Sequence, residues 1–226
     1  MAIHSIHVAG VVDLAEAELL INCGVRYLGF PFVLDHHKED LTVDAAAAIV
    51  ATLGKQATFF LITYLNSAEA ILELCHALSV NMVQLHGETD VEQIKRLKQL
   101  APQLGIIKSL IVRDSNADAL IEEVRRYEAI VDAFITDTFD PVTGATGATG
   151  RVHDWEISRM LVASSARPLI LAGGLNTGNV RKAVRTVRPA GVDVHTGIEG
   201  NDGRKRYDLT KRFVEEAQIG FADIEQ

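Results

Sequence analysis

Cysteine is nearly missing from this chain of 226 residues. Cys23 and Cys75 are too few for a disulfide framework, and no zinc or redox motif follows from them. Both read as buried thiols in a reducing cytoplasm. Aromatic residues make up 6% of the chain although 48% is hydrophobic, so the core must be filled by Val, Ile, Leu and Ala. That composition suits strands buried on both faces. No apolar run reaches the ~20 residues that cross a bilayer, and the opening MAIHSIHVAG has no basic region followed by a long apolar one. The expectation is a protein neither exported nor membrane-spanning. Basic side chains are outnumbered 22 to 30, for a net charge of −8, and they form no stripe. That argues against nucleic acid as a partner. The short run Arg204, Lys205, Arg206 reads as solvated. What remains is one soluble domain over residues 1–226.

Short β-rich apolar runs alternate with longer segments of helical period along the whole chain. Strands are expected over 3–8, 27–32, 58–65, 82–86, 105–112, 133–137, 168–172 and 191–195. Helices are expected over 13–23, 42–53, 67–78, 90–100, 115–131, 154–162, 177–187 and 209–217, several opening on a capping Ser, Thr or Asp. Eight such units without a linker fit a closed (β/α)8 TIM barrel, of α/β class. The competing open doubly wound sheet would carry a glycine-rich turn after an early strand, and HVAGVVDLAE has a single glycine there. In a barrel of this kind the chemistry sits where strands end and loops begin.

The seventh and eighth expected strands end in LILAGGLNTGNV and GVDVHTGIEGNDG. Gly173, Gly174, Thr196 and Gly197 place two adjacent turns where backbone N–H groups can cradle a phosphate. With the whole chain acidic, that local cradle would have to recruit the anion unaided. Asp137 ends the sixth strand, AFITDT, before the glycine-rich run FDPVTGATGATGR, which reads as a lid. A carboxylate there can act as general acid or base once water is excluded, or it can simply cap Thr138 and Phe139. By strand alternation Gln84 pairs with His86, His7 with Ala9, and Asp193 with His195 on shared faces. If these faces point inward, their imidazoles and carboxylates could transfer protons or bind a divalent metal, although no spacing is metal-specific. His36 and His37, in FPFVLDHHKED, are solvated loop residues by default and ligand contacts as a minority reading.

In order, the runs CGVRYLGFPF, VQLHGETD, ITDTFD with GATGRVHDW, LAGGLNTGNV and GVDVHTGIEG resemble the phosphoribosylanthranilate isomerase family of tryptophan biosynthesis. The resemblance implies a cytoplasmic enzyme, a monomer or homodimer, that performs an Amadori rearrangement on a phosphorylated sugar without a cofactor. It places Asp137 on the family's general acid and Gly173, Gly174, Thr196 and Gly197 on its phosphate site. It also exposes departures. The family's general-base Cys is Ala9 here, and the loop with its substrate-binding Arg reads LDHHKED. The first Ser of its Ser-Ser-Gly is His195, an imidazole expected to crowd the cradle. The replacement base could be His7, His86 or His195, with Ala9, His36, Gln84, Asp193 and His195 lining the substrate. Two other readings stand beside this one. One is a phosphosugar epimerase, aldolase or lyase using the His/Asp group with or without a metal. The other is a catalytically silent sugar-phosphate-binding protein.

Overall fold

A computed structural model describes residues 4–33, 41–113, 116–138 and 152–225. Eight strand and helix pairs follow one another: β1 (Ser5–Ala9), α1 (Leu14–Asn22), β2 (Tyr27–Phe32), α2 (Val43–Leu53), β3 (Thr58–Thr63), α3 (Ala68–Leu78), β4 (Met82–Leu85), α4 (Val91–Leu100), β5 (Gly105–Val112), α5 (Ala117–Tyr127), β6 (Ala133–Thr138), α6 (Trp155–Ser164), β7 (Leu169–Leu171), α7 (Val180–Val187), β8 (Gly191–Val194) and α8 (Tyr207–Ile224). Each strand pairs in parallel with the next, and β8 closes on β1 through Ser5 with Gly191 and His7 with Asp193. The result is a (β/α)8 TIM barrel. Among the described residues, no helix is long and apolar enough to cross a membrane.

Helix starts follow local chemistry. The side chains of Asp13, Thr42, Ser67 and Asp154 each accept a hydrogen bond from a backbone N–H in the first turn, satisfying donors that the helix itself leaves open. Several element ends differ from the sequence expectation. The last helix runs to Ile224 because Gly220 is no terminator. It lets α8 lie against α7, where a methyl group would meet Val184 Cβ at 3.0 Å, and Phe221 is buried beyond it. Helix α5 stops at Tyr127, whose hydroxyl donates to Thr89 O while Asp132, ahead of β6, accepts from Ile106 N. Strand β7 ends before Ala172 because the hydroxyl of Thr136 takes over there, donating to Ala172 O and accepting from Ala172 N. Lys205, read as solvated, is 4% exposed. The carboxylate of Glu199 and the carbonyl of Gly10 take its ammonium out of water.

Strand alternation divides the core in two. Ile6 and Val8 of β1 join the large apolar cluster shared with the helices, while Ile107, Ala133, Ile135, Ile170 and Ala172 form a separate cluster inside the barrel. His7 shares the inner face. Its ring stacks on Tyr27 with centroids 4.5 Å apart, meets the edge of Phe60, and its Nε2 lies 2.9 Å from Ser5 Oγ. Both thiols are buried and unpaired.

Burial pushes the His7 imidazole down to about 3, so it is neutral in the fold. In the unfolded chain it titrates near its ordinary value. The associated stability is therefore complete above about pH 6.5 and is lost as pH falls toward 3. Replacing His7 by Phe keeps the stacking and removes the titration. Urea midpoints at pH 7 and pH 4 should then show a drop in stability smaller than the parent's by up to about 3 kcal/mol. An unchanged drop would mean that the ring carries its proton inside the fold.

Candidate active site

Asp137 and Asp193 reach the mouth from the ends of β6 and β8, and each feels the low dielectric of the barrel. Asp137 accepts a hydrogen bond from Thr138 N at 2.8 Å, so the capping role and a chemical role coexist in one side chain. Burial nonetheless raises its carboxyl to about 7, partly offset by that bond. Asp193 is raised to about 8, first by burial and then by the charge of Asp137, with Lys205 pulling the other way. Its Oδ1 is buried and has no hydrogen-bond partner among the described residues. Two such carboxyls in one cavity cannot both ionise cheaply, so the pair holds a proton at neutral pH and titrates as a unit.

The polar residues of β4 converge on a hydroxyl that sequence reading passed over. Ser109 of β5 accepts from Gln84 Nε2 at 3.1 Å and lies 3.0 Å from His86 Nδ1. Tyr64 meets the His86 ring edge-on, and Gln84 and His86 are 5% and 8% exposed. His7 lies lower, fully buried beneath Ala9. Among the described residues, no group of three or more His, Cys, Asp or Glu side chains is arranged to hold a metal ion. His36, like the expected lid of 139–151, lies outside the described residues.

The two glycine turns pack on each other. Gly173 and Gly174 have φ of 101° and 63°, values that disfavour any residue with a side chain. A methyl group on Gly173 would overlap Thr138 Oγ1, which bonds His153 Nδ1 at 2.9 Å. His153 Nε2 is tied in turn to Ser158 Oγ, so a histidine that the sequence reading did not single out braces the turn from behind. A methyl group on Gly197 would sit 1.9 Å from Leu175 O, so the turns after β7 and β8 touch through backbone alone. Asn176 and Asn179 fasten the first turn by donating to Gly174 O. Among the described residues, the N–H groups of Gly173, Gly174, Thr196 and Gly197 donate to no other group. Four amides in adjacent turns are therefore available to an anion.

His195 turns toward β1 instead of lying over the glycines. A methyl group on Gly10 would lie 2.3 Å from its Nε2, which faces Glu199 Oε1 at 3.4 Å. Lys205 holds that carboxylate at 2.8 Å and bonds Gly10 O at 3.0 Å. Glu199 and Lys205 were visible only as ordinary surface charges in the sequence, because nothing local announces that they meet.

The profile of the N-(5'phosphoribosyl)anthranilate (PRA) isomerase family matches residues 7–216. The chain belongs to this family. It is 36% identical over 220 residues to N-(5'-phosphoribosyl)anthranilate isomerase 2 of Methanosarcina mazei, covering 97% of this chain and 96% of that protein. It is 30% identical over 209 residues to the isomerase of Methanothrix thermoacetophila, covering 92% and 95%. Among solved structures, phosphoribosyl anthranilate isomerase from Thermotoga maritima superposes with a TM-score of 0.81 at 28% identity, covering 96% of this chain and 99% of that one. A phosphoribosyl anthranilate isomerase in complex with reduced 1-(o-carboxyphenylamino)-1-deoxyribulose 5-phosphate gives 0.79 at 26%, with the same coverage.

The raised carboxyls make a stability prediction. Because the folded pair keeps protons that the unfolded chain releases near pH 4, its contribution is complete below that pH and is lost as pH rises toward 8. Asp193→Asn removes one of these protons from the account. Thermal or urea melts should show the variant gaining on the parent by about 1–3 kcal/mol more at pH 8 than at pH 5. Equal gains at both pH values would show that Asp193 is ionised in the fold.

Proposed function

We propose that this protein is an isomerase that rearranges N-(5'-phosphoribosyl)anthranilate, an aminoaldose, into the corresponding aminoketose in tryptophan biosynthesis. The observation that carries this reading is Asp137, a carboxyl held near 7 at a strand end, in the same barrel mouth as four undonated amides. A carboxyl that retains its proton at neutral pH can give it to the furanose ring oxygen as the C–O bond breaks, leaving an open-chain Schiff base. Removal of the C2 proton and reprotonation at C1 complete the shift. No electrons enter or leave, so no redox cofactor is needed. We assign the phosphate of the substrate to the amides of Gly173, Gly174, Thr196 and Gly197, and its sugar to the space bounded by Ala9, Gln84, Asp193 and His195. The buried thiols Cys23 and Cys75 are compatible with work in the cytoplasm.

The epimerase, aldolase or lyase reading uses the His/Asp group at the mouth with or without a divalent metal, and among the described residues no group of three or more His, Cys, Asp or Glu side chains is arranged to hold one. The silent-binder reading draws on Ala9, which has no titratable group. Substrate consumption followed by fluorescence decides between turnover and mere binding. Asp137→Asn should lose about 10² to 10⁴ in kcat with KM little changed, because the asparagine amide cannot supply the proton. The parent's kcat/KM should fall as pH rises through about 7, where the acid ionises. Gly197→Ala should raise KM about 10- to 100-fold, since its methyl group separates the turns and costs the phosphate one or more charge-assisted hydrogen bonds. A parent that binds sugar phosphates and turns nothing over would favour the silent binder.

A further inference from the structure

We infer that Lys205 is a positioning residue for the phosphate site: it fastens the turn that carries the Thr196 and Gly197 amides to the end of β1. The inference rests on the assignment of the substrate phosphate to that cradle and adds the part that holds the cradle in place. The short helical turn Thr196–Ile198 leads straight into a two-stranded ribbon. Glu199 N donates to Thr196 O at 3.1 Å, and Glu199 bridges to Lys205 in antiparallel fashion. Gly200 N on Arg204 O and Arg206 N on Ile198 O close the ribbon on either side of that bridge. Over residues 199–209, Lys205 is the single buried residue. The ribbon therefore has no apolar anchor, and one lysine takes that place.

Lys205 reaches β1 by two routes. Its Nζ donates to Gly10 O at 3.0 Å and to Glu199 Oε1 at 2.8 Å, while its backbone N donates to Glu16 Oε1 at 2.9 Å. The other oxygen of Glu16, a residue 2% exposed, accepts from Val12 N at 3.1 Å. One buried ammonium and one buried carboxylate thus join the loop after β8 to the loop after β1. On its far side the phosphate turn is stopped by Leu175 O, which lies so close to Gly197 that no side chain fits between them. The turn is held from both sides, and its amides keep one distance from the rest of the mouth.

An apolar residue would bury at lower cost than an ammonium, since desolvating a charge seldom repays itself in stability. What the ammonium supplies is direction. An apolar side chain would leave Gly10 O and the Glu199 carboxylate without this donor, and nothing would fix the ribbon along β1. The charge of Lys205 also reaches Asp193 and favours its carboxylate, yet burial and Asp137 keep that group up at about 8. Loss of the ammonium therefore leaves the acid pair protonated at pH 7, and its effect falls on binding.

The test titrates purified full-length protein with ribose 5-phosphate by calorimetry and assays it with N-(5'-phosphoribosyl)anthranilate. Lys205→Met, unbranched like lysine but without donors, should weaken ribose 5-phosphate about tenfold or more and raise KM by a similar factor. Its kcat at pH 7 should stay within about threefold of the parent. A side chain that only supports folding would lower the melting temperature and leave the affinity of the folded protein within threefold, which would overturn the inference. A fall in kcat at unchanged KM would overturn it too, by placing the ammonium in the chemistry. If Lys205→Met does not fold, Glu199→Ala decides, because it releases the ribbon while Lys205 keeps Gly10. A ribose 5-phosphate Kd raised at least threefold supports the inference there, and an unchanged Kd overturns it. A parent that binds ribose 5-phosphate and turns nothing over sinks the isomerase reading alone, and the calorimetric comparison still decides the role of Lys205. A parent that binds no ribose 5-phosphate overturns the phosphate assignment, and this inference with it.

Discussion

Closure of β8 onto β1 is the constraint on which the remainder of this structure depends. The pairing joins residues about as far apart in sequence as the chain allows, and it is made by a ladder in which Ser5 meets Gly191 and His7 meets Asp193. Without it, β1 and β8 would be open edges and the small apolar cluster around Ile107, Ile135 and Ile170 would face water. Closure also creates the mouth. The amides after β7 and β8, the carboxyls of β6 and β8 and the end of β1 share one rim only because the first and last strands lie side by side.

Closing the barrel removes water from groups that prefer to be charged. Asp137 and Asp193 answer by holding protons, and His7 answers by giving its proton up. The same low dielectric has opposite effects on the two kinds of group, so the interior resists ionisation from both directions of pH. At the floor that resistance is structural, since His7 fills space between Tyr27, Phe60 and Ser5. At the rim it has a chemical use. A carboxyl that costs stability when ionised is an acid with its proton ready at neutral pH.

Much of this was legible beforehand. Alternating runs predicted the eight units, and Gly173, Gly174 and Gly197 marked the turns after β7 and β8, because both signals are local. The ends of elements were less legible where a distant group sets them. Thr136 shortens β7 with its hydroxyl, Gly220 lets α8 continue against α7, and the Tyr127 hydroxyl ties the end of α5 to Thr89. Lys205 was misread for the same reason. In sequence it is one cation of three; in the fold it is buried between Glu199 and Gly10.

The chain alone determined the class of fold, the order of its strands and the residue types at their ends, because periodicity and turn chemistry act over a few neighbours. It also determined that Ala9 brings no proton-transfer group to the end of β1. Where each imidazole stands was decided by tertiary structure. His7, His86 and His195 are equivalent as letters, and only closure buries the first, seats the second on Ser109 and lays the third over Gly10 with a carboxylate behind it. Burial and strand register are properties of the closed sheet, and no window of sequence contains both of the strands that meet there.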